Sequence, residues 1–96
     1  MRRDEALALL AAHRAELHQL GVASLALFGS VARDEAGPAS DVDVLVEFAG
    51  STTLDRYMDL KWFLEALFRR RVDLATPGAL KPALRRRIVG EVVHVA

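Results

Sequence analysis

Residues 27–46 read LFGSVARDEAGPASDVDVLV, and this stretch decides which fold the sequence predicts. Asp41 and Asp43 stand one residue apart inside an apolar run. Because side chains alternate between the two faces of a β-strand, both carboxylates are expected on one face and the intervening valines on the other. Neighbouring carboxylates repel each other unless a cation lies between them, so the pair favours a cation-binding face.

A glycine and a serine, Gly29 and Ser30, end the apolar run that precedes this strand. Such a pair can open a helix, whose free backbone N–H groups attract phosphate. Alone it is a weak signal, because any turn from a strand to a helix can use it. Together with the paired carboxylates it predicts a phosphate cradle beside a metal site, which is the arrangement that nucleotidyl transfer requires.

Length and composition exclude several classes of protein. The 96 residues predict one domain, residues 1–96, and 52% hydrophobic residues argue against disorder. The formal net charge is zero, so no global basic field attracts nucleic acid. Cysteine is absent, and no apolar run approaches the roughly 20 residues of a membrane span. We therefore expect a cytoplasmic protein that contacts neither nucleic acid nor membrane directly.

Hydrophobic periodicity and turn residues predict helices that alternate with strands along the whole chain. This order predicts an α/β (α+β) fold, a small mixed sheet with flanking helices. The long central helix should carry a broad apolar face that starts at Leu54, with Tyr57 and Trp62 in the core or at its rim. The predicted elements are a helix over 3–20, a strand over 22–28, a short helix over 30–35, a strand over 41–48, a helix over 54–70, a strand over 72–75, a helix that begins at Thr76 and Pro77, and a strand over 91–95.

A third aspartate, Asp73, also falls inside a predicted strand. Aspartate is disfavoured in strands and is expensive to bury unpaired, so three of them on neighbouring strands need a compensating charge. Mg²⁺ suits this role, since it takes carboxylate oxygens together with substrate phosphates. An isolated Asp-x-Asp motif more often lies on the solvent-exposed face of an edge strand and binds no metal. The Gly-Ser pair upstream and Asp73 downstream reverse that preference here.

These motifs resemble the minimal nucleotidyltransferase family of the DNA polymerase β superfamily, whose signature is Gly-Ser, ten residues, then Asp-x-Asp. Residues 29–33 (GSVAR), 40–46 (SDVDVLV) and 55–61 (DRYMDLK) carry the resemblance, together with Asp73. It implies a polymerase-β-type nucleotidyltransferase fold, with ATP as substrate and two Mg²⁺ ions as cofactors.

The resemblance also implies a role for each residue of the site. Asp41 and Asp43 would be metal ligands, and Asp73 would be a third ligand that helps to activate the attacking hydroxyl. Gly29 and Ser30 would lie at the triphosphate. Arg33 lies just inside the predicted phosphate-binding helix, and this position makes it the best candidate for a further triphosphate contact. Asp34 replaces a glycine common in the family.

The family further implies a protein partner. Its small members resemble antitoxins of HEPN-type toxins and transfer AMP from ATP to a toxin tyrosine. The short chain agrees with this, because it has no room for a second domain that would hold the acceptor. Two other functions stay open, an antitoxin that masks the toxin without catalysis, and a nucleotidyltransferase for a small molecule or RNA.

Other polar residues are expected to be structural. His13 and His18 are five residues apart on one predicted helix, about 140° apart around its axis, so they do not face one metal ion. His94 lies in an apolar terminal strand. Residues 85–87 are three arginines at the end of a predicted helix, where cations favour the helix dipole and face solvent.

Overall fold

Four strands and three helices make up the part of the chain that the computed structural model describes, which is residues 2–29, 41–76 and 92–94. The predicted short helix over 30–35 and the predicted helix after Thr76 lie outside these ranges. Among the described residues, no helix combines the length and the hydrophobicity of a transmembrane span. The elements are α1 (Arg3–Ala12), α2 (Arg14–Gln19), β1 (Val22–Phe28), β2 (Val42–Phe48), α3 (Leu54–Phe68), β3 (Val72–Ala75) and β4 (Val92–His94).

The four described strands form one mixed sheet in the order β3-β2-β1-β4, which confirms the predicted fold class. β1 is antiparallel to both β2 and β4, whereas β2 and β3 are parallel. Parallel neighbours need a crossover connection, and α3 supplies it between β2 and β3. This crossover returns the chain to the end of the sheet where β2 begins, so β3 starts beside the first residues of β2.

The core lies on one face of the sheet. Val42, Val44 and Val46 of β2 are fully buried, and Leu60 and Leu64 of α3 pack into the same cluster. The alternation predicted for the Asp-x-Asp strand is therefore present, because every second residue of β2 enters the core. The intervening residues, among them Asp43, belong to the opposite face.

The first predicted helix, 3–20, is wrong as a single element, because it breaks at His13 into α1 and α2. In a continuous helix the His13 amide would donate to the carbonyl of Leu9. Here the amide bonds to Leu10 at 3.2 Å, and the imidazole Nδ1 donates to the Leu9 carbonyl at 2.8 Å. The ring also meets Phe63 edge to face, with centroids 6.1 Å apart. The side chain thus replaces the lost helical bond, and packing on α3 holds it there.

The long helix α3 begins and ends at identifiable signals. Thr53 caps it, since its Oγ1 accepts from the Arg56 amide at 3.2 Å. It ends at Phe68, two residues earlier than predicted, because Arg69 takes a left-handed conformation with φ 55°. Two predictions for α3 are also wrong. Leu54, expected on the apolar face, is 74% exposed, and Trp62, expected in the core or at its rim, is 59% exposed.

Candidate active site

Two of the predicted aspartates lie side by side at one end of the sheet. Asp43 of β2 is in register with Asp73 of β3. Residues paired across neighbouring strands point to the same face, about 4.7–4.9 Å apart in the direction of the hydrogen bonds. That face is opposite the core, because Val72 and Leu74, the neighbours of Asp73, are buried. Asp43 is half-buried and Asp73 is exposed, so the pair can be reached from outside.

Asp41 lies outside the paired register of β2 and β3. It is exposed and directly precedes β2, which begins at Val42 and not at the predicted residue 41. The Val42 amide donates to the carbonyl of Arg71 at 2.9 Å, so the chain runs beside the β3 segment from this point. Within the described ranges, no three His, Cys, Asp or Glu side chains form a group that could hold one metal ion. The metal role of the three aspartates therefore stays a prediction.

Gly29 lies against the carboxylate of Asp43. It follows Phe28, which is the partner of Asp43 across the antiparallel β1–β2 pair. Its φ of +70° is left-handed, and a Cβ at this position would overlap the Asp43 carboxylate, with only 2.9 Å to Cγ. A glycine is therefore required here on two grounds, backbone conformation and space. The predicted motif thus brings its glycine and its second aspartate into direct proximity.

Two side chains of α3 make hydrogen bonds to β3, the strand that carries Asp73. Sequence reasoning did not assign either of them to the site. The Tyr57 hydroxyl donates to the Leu74 carbonyl at 2.7 Å, and a Glu65 carboxylate oxygen accepts from the Val72 amide at 3.1 Å. Helical periodicity predicts Tyr57 near the core rim, and it is half-buried there. No sequence signal predicts its strand partner, because the bond depends on how α3 packs over β3.

The other predicted positions divide into two groups. Ser30, Arg33 and Asp34 lie outside the described residues. Of the histidines, His18 is exposed on α2, His13 packs at the break between α1 and α2, and the backbone of His94 pairs with Ser24 in the sheet. Neither His13 nor His18 belongs to the aspartate pair.

Comparison with known proteins gives a family match and similar chains. The model of a family described as a nucleotidyltransferase domain matches residues 10–95. A protein of Thermococcus cleftensis named protein adenylyltransferase MntA is 40% identical over 93 residues, which is 96% of this chain and 94% of that protein.

Solved structures agree with the observed architecture. A structure described as a minimal nucleotidyltransferase is 35% identical, with a TM-score of 0.78, over 97% of this chain and 95% of that one. A more distant match is a Shewanella oneidensis complex of an MNT antitoxin with a tri-AMPylated HEPN toxin. It is 17% identical, with a TM-score of 0.53, over 90% of this chain and 71% of that one. At this identity the likeness shows a shared fold.

Proposed function

This chain belongs to the nucleotidyltransferase domain family, and from that premise we propose that it is a protein adenylyltransferase. It transfers AMP from ATP to a hydroxyl, a tyrosine by the family resemblance, on a HEPN-type toxin that it thereby neutralises. The whole chain, residues 1–96, acts as one domain. A zero formal charge gives it no attraction for nucleic acid, and we place it in the cytoplasm, where ATP is available.

One observation carries the proposal, the in-register pair of Asp43 and Asp73 on the face opposite the core, next to Gly29. The donor set fits Mg²⁺, since the oxygens are hard carboxylate ligands that are accessible from outside. Asp41 and Asp43 would hold the metal, and Asp73 would complete the set. When bound there, Mg²⁺ supplies positive charge beside the triphosphate.

The remaining steps of the transfer reaction are assigned to residues of this chain. The acceptor hydroxyl oxygen forms a bond to the α-phosphorus of ATP, the bond from that phosphorus to the bridging oxygen breaks, and pyrophosphate leaves. Asp73, exposed at the sheet edge, accepts the hydroxyl proton. Ser30 and Arg33 bind the triphosphate, which the backbone approaches at Gly29, where the absence of a side chain keeps the Asp43 carboxylate in place.

The sequence leaves a second function open, an antitoxin that acts without catalysis. A non-catalytic antitoxin would bind the toxin and mask it, and it would need no assembled metal site. The two functions differ in whether the partner carries AMP after contact with this protein.

The purified protein should move the α-phosphate of ATP to the HEPN-type partner only when Mg²⁺ is present. We expect radioactive phosphorus at the α position of ATP to label the partner, and phosphorus at the γ position to leave no label. A chelator should abolish labelling, because the repelling carboxylates then lack their cation. If the partner were neutralised but carried no label, that result would contradict AMP transfer and support masking. Label from the γ position on the partner would indicate phosphorylation.

A further inference from the structure

We infer that Tyr57 and Glu65 are positioning residues that hold Asp73 in line with Asp43. They bond the backbone of β3 on either side of Asp73, at Leu74 and at Val72. The inference rests on the function proposed above, since it takes Asp73 to be part of the catalytic site.

The two bonds lie on the outer edge of β3. The Arg71 carbonyl accepts from the Val42 amide, so the backbone groups of Arg71 face β2. Successive residues of a strand direct their N–H and C=O groups to opposite edges, so Asp73 also faces β2, while Val72 and Leu74 face away from it. β3 is the edge of the sheet among the described strands. Tyr57 and Glu65 therefore occupy positions where a further strand would otherwise bond.

Asp73 depends on this backbone for its placement. Its side chain is exposed, and no described residue makes a hydrogen bond or an ion pair with its carboxylate. β3 is only four residues long, and its one partner strand among those described is β2. Such a strand frays easily at its outer edge. Bonds at the residues before and after Asp73 restrict that motion where the carboxylate needs a defined position.

Tyr57→Phe isolates the first bond, because the ring stays and the donated hydrogen bond is lost. We expect kcat for AMP transfer to fall about five- to tenfold, the equivalent of one hydrogen bond, with KM for ATP changed less than about twofold. The matched control is Thr53→Val, which removes the hydrogen bond that the Thr53 hydroxyl accepts from the Arg56 amide at the start of α3. That variant should lose comparable thermal stability and keep its kcat, with both rates measured well below the melting temperatures.

Glu65 offers a pair of variants and a readout other than activity. Glu65→Ala removes the acceptor of the Val72 amide, so hydrogen exchange of that amide should accelerate about tenfold. Glu65→Gln keeps an acceptor oxygen. Its exchange at the Val72 amide should therefore be as slow as in the wild type, and its kcat should exceed that of Glu65→Ala. Equal exchange of Val72 in all three proteins would overturn the role of Glu65.

The closing experiment combines Tyr57→Phe with Asp73→Asn. If Tyr57 acts through Asp73, Tyr57→Phe should not lower kcat further in the Asp73→Asn background. An equal loss in both backgrounds, or an unchanged kcat for Tyr57→Phe alone, would overturn the inference and leave the proposed function standing. Full transfer by Asp73→Asn, or no transfer by the wild type, would overturn the proposed site and the inference together.

Discussion

Asp43→Asn should lower the rate of AMP transfer about 100- to 1,000-fold, with the fold intact. Asparagine has the shape of aspartate, so β2 and its pairing with β3 should persist at this half-buried position. The substitution removes one of the two negative charges that stand in register at the sheet end. Without that charge the site loses a ligand of the kind that Mg²⁺ prefers. Initial rates of label transfer, with circular dichroism to check the fold, measure the effect.

The same strand supplies a matched control. Glu47 is an exposed carboxylate on the same face of β2 at the far end, where it accepts a long 3.4 Å hydrogen bond from Ser24. Glu47→Gln removes the same charge from the protein and should leave the transfer rate within about twofold, since exposed charges far from a site are screened. Equal losses in both variants would mean that net charge matters and that Asp43 has no special role.

Gly29→Ala should abolish most of the transfer and also destabilise the protein. A Cβ at Gly29 overlaps the Asp43 carboxylate, so either that side chain or the end of β1 must shift. The left-handed φ of +70° adds about 1–2 kcal/mol for any residue with a side chain. A displaced carboxylate cannot hold its position beside Asp73. The measurements are urea denaturation and the transfer rate per folded molecule.

Gly50→Ala separates these two effects. Gly50 also has a left-handed φ, +85°, but a Cβ there would meet only the Arg56 Nη1 at 3.8 Å, an ordinary contact. This variant should therefore lose stability for the backbone reason and keep its transfer rate. If Gly29→Ala behaved like Gly50→Ala in both measurements, the close approach of Gly29 to Asp43 would have no functional meaning.

Much of the sheet could be predicted because local signals agree with the tertiary fold. β1 and β3 have the predicted bounds, and β2 differs by one residue at Asp41. The helices were less predictable at two points. The break at His13 depends on a side chain that bonds a carbonyl in place of its own amide, and the early end of α3 depends on Arg69 in a conformation that glycine usually takes.

The sequence predicts which residues form the site better than it predicts how they are arranged in space. Spacing predicts that alternate residues of β2 share a face, which places Asp43 opposite the core. It does not predict that Asp73 pairs with Asp43, because that requires the parallel order of β2 and β3. The bonds from Tyr57 and Glu65 join residues 17 and 7 positions apart through tertiary packing, which no local pattern encodes.

The intact mass of the HEPN-type partner tests the central claim most directly. The partner is co-expressed with the wild-type protein or with the Asp43→Asn variant and is then purified. Its intact mass is measured by mass spectrometry. AMP transfer predicts that the partner gains the mass of one or more AMP units with the wild type and none with Asp43→Asn. A partner of unchanged mass that is nonetheless neutralised by both proteins would contradict the account and identify this protein as a masking antitoxin.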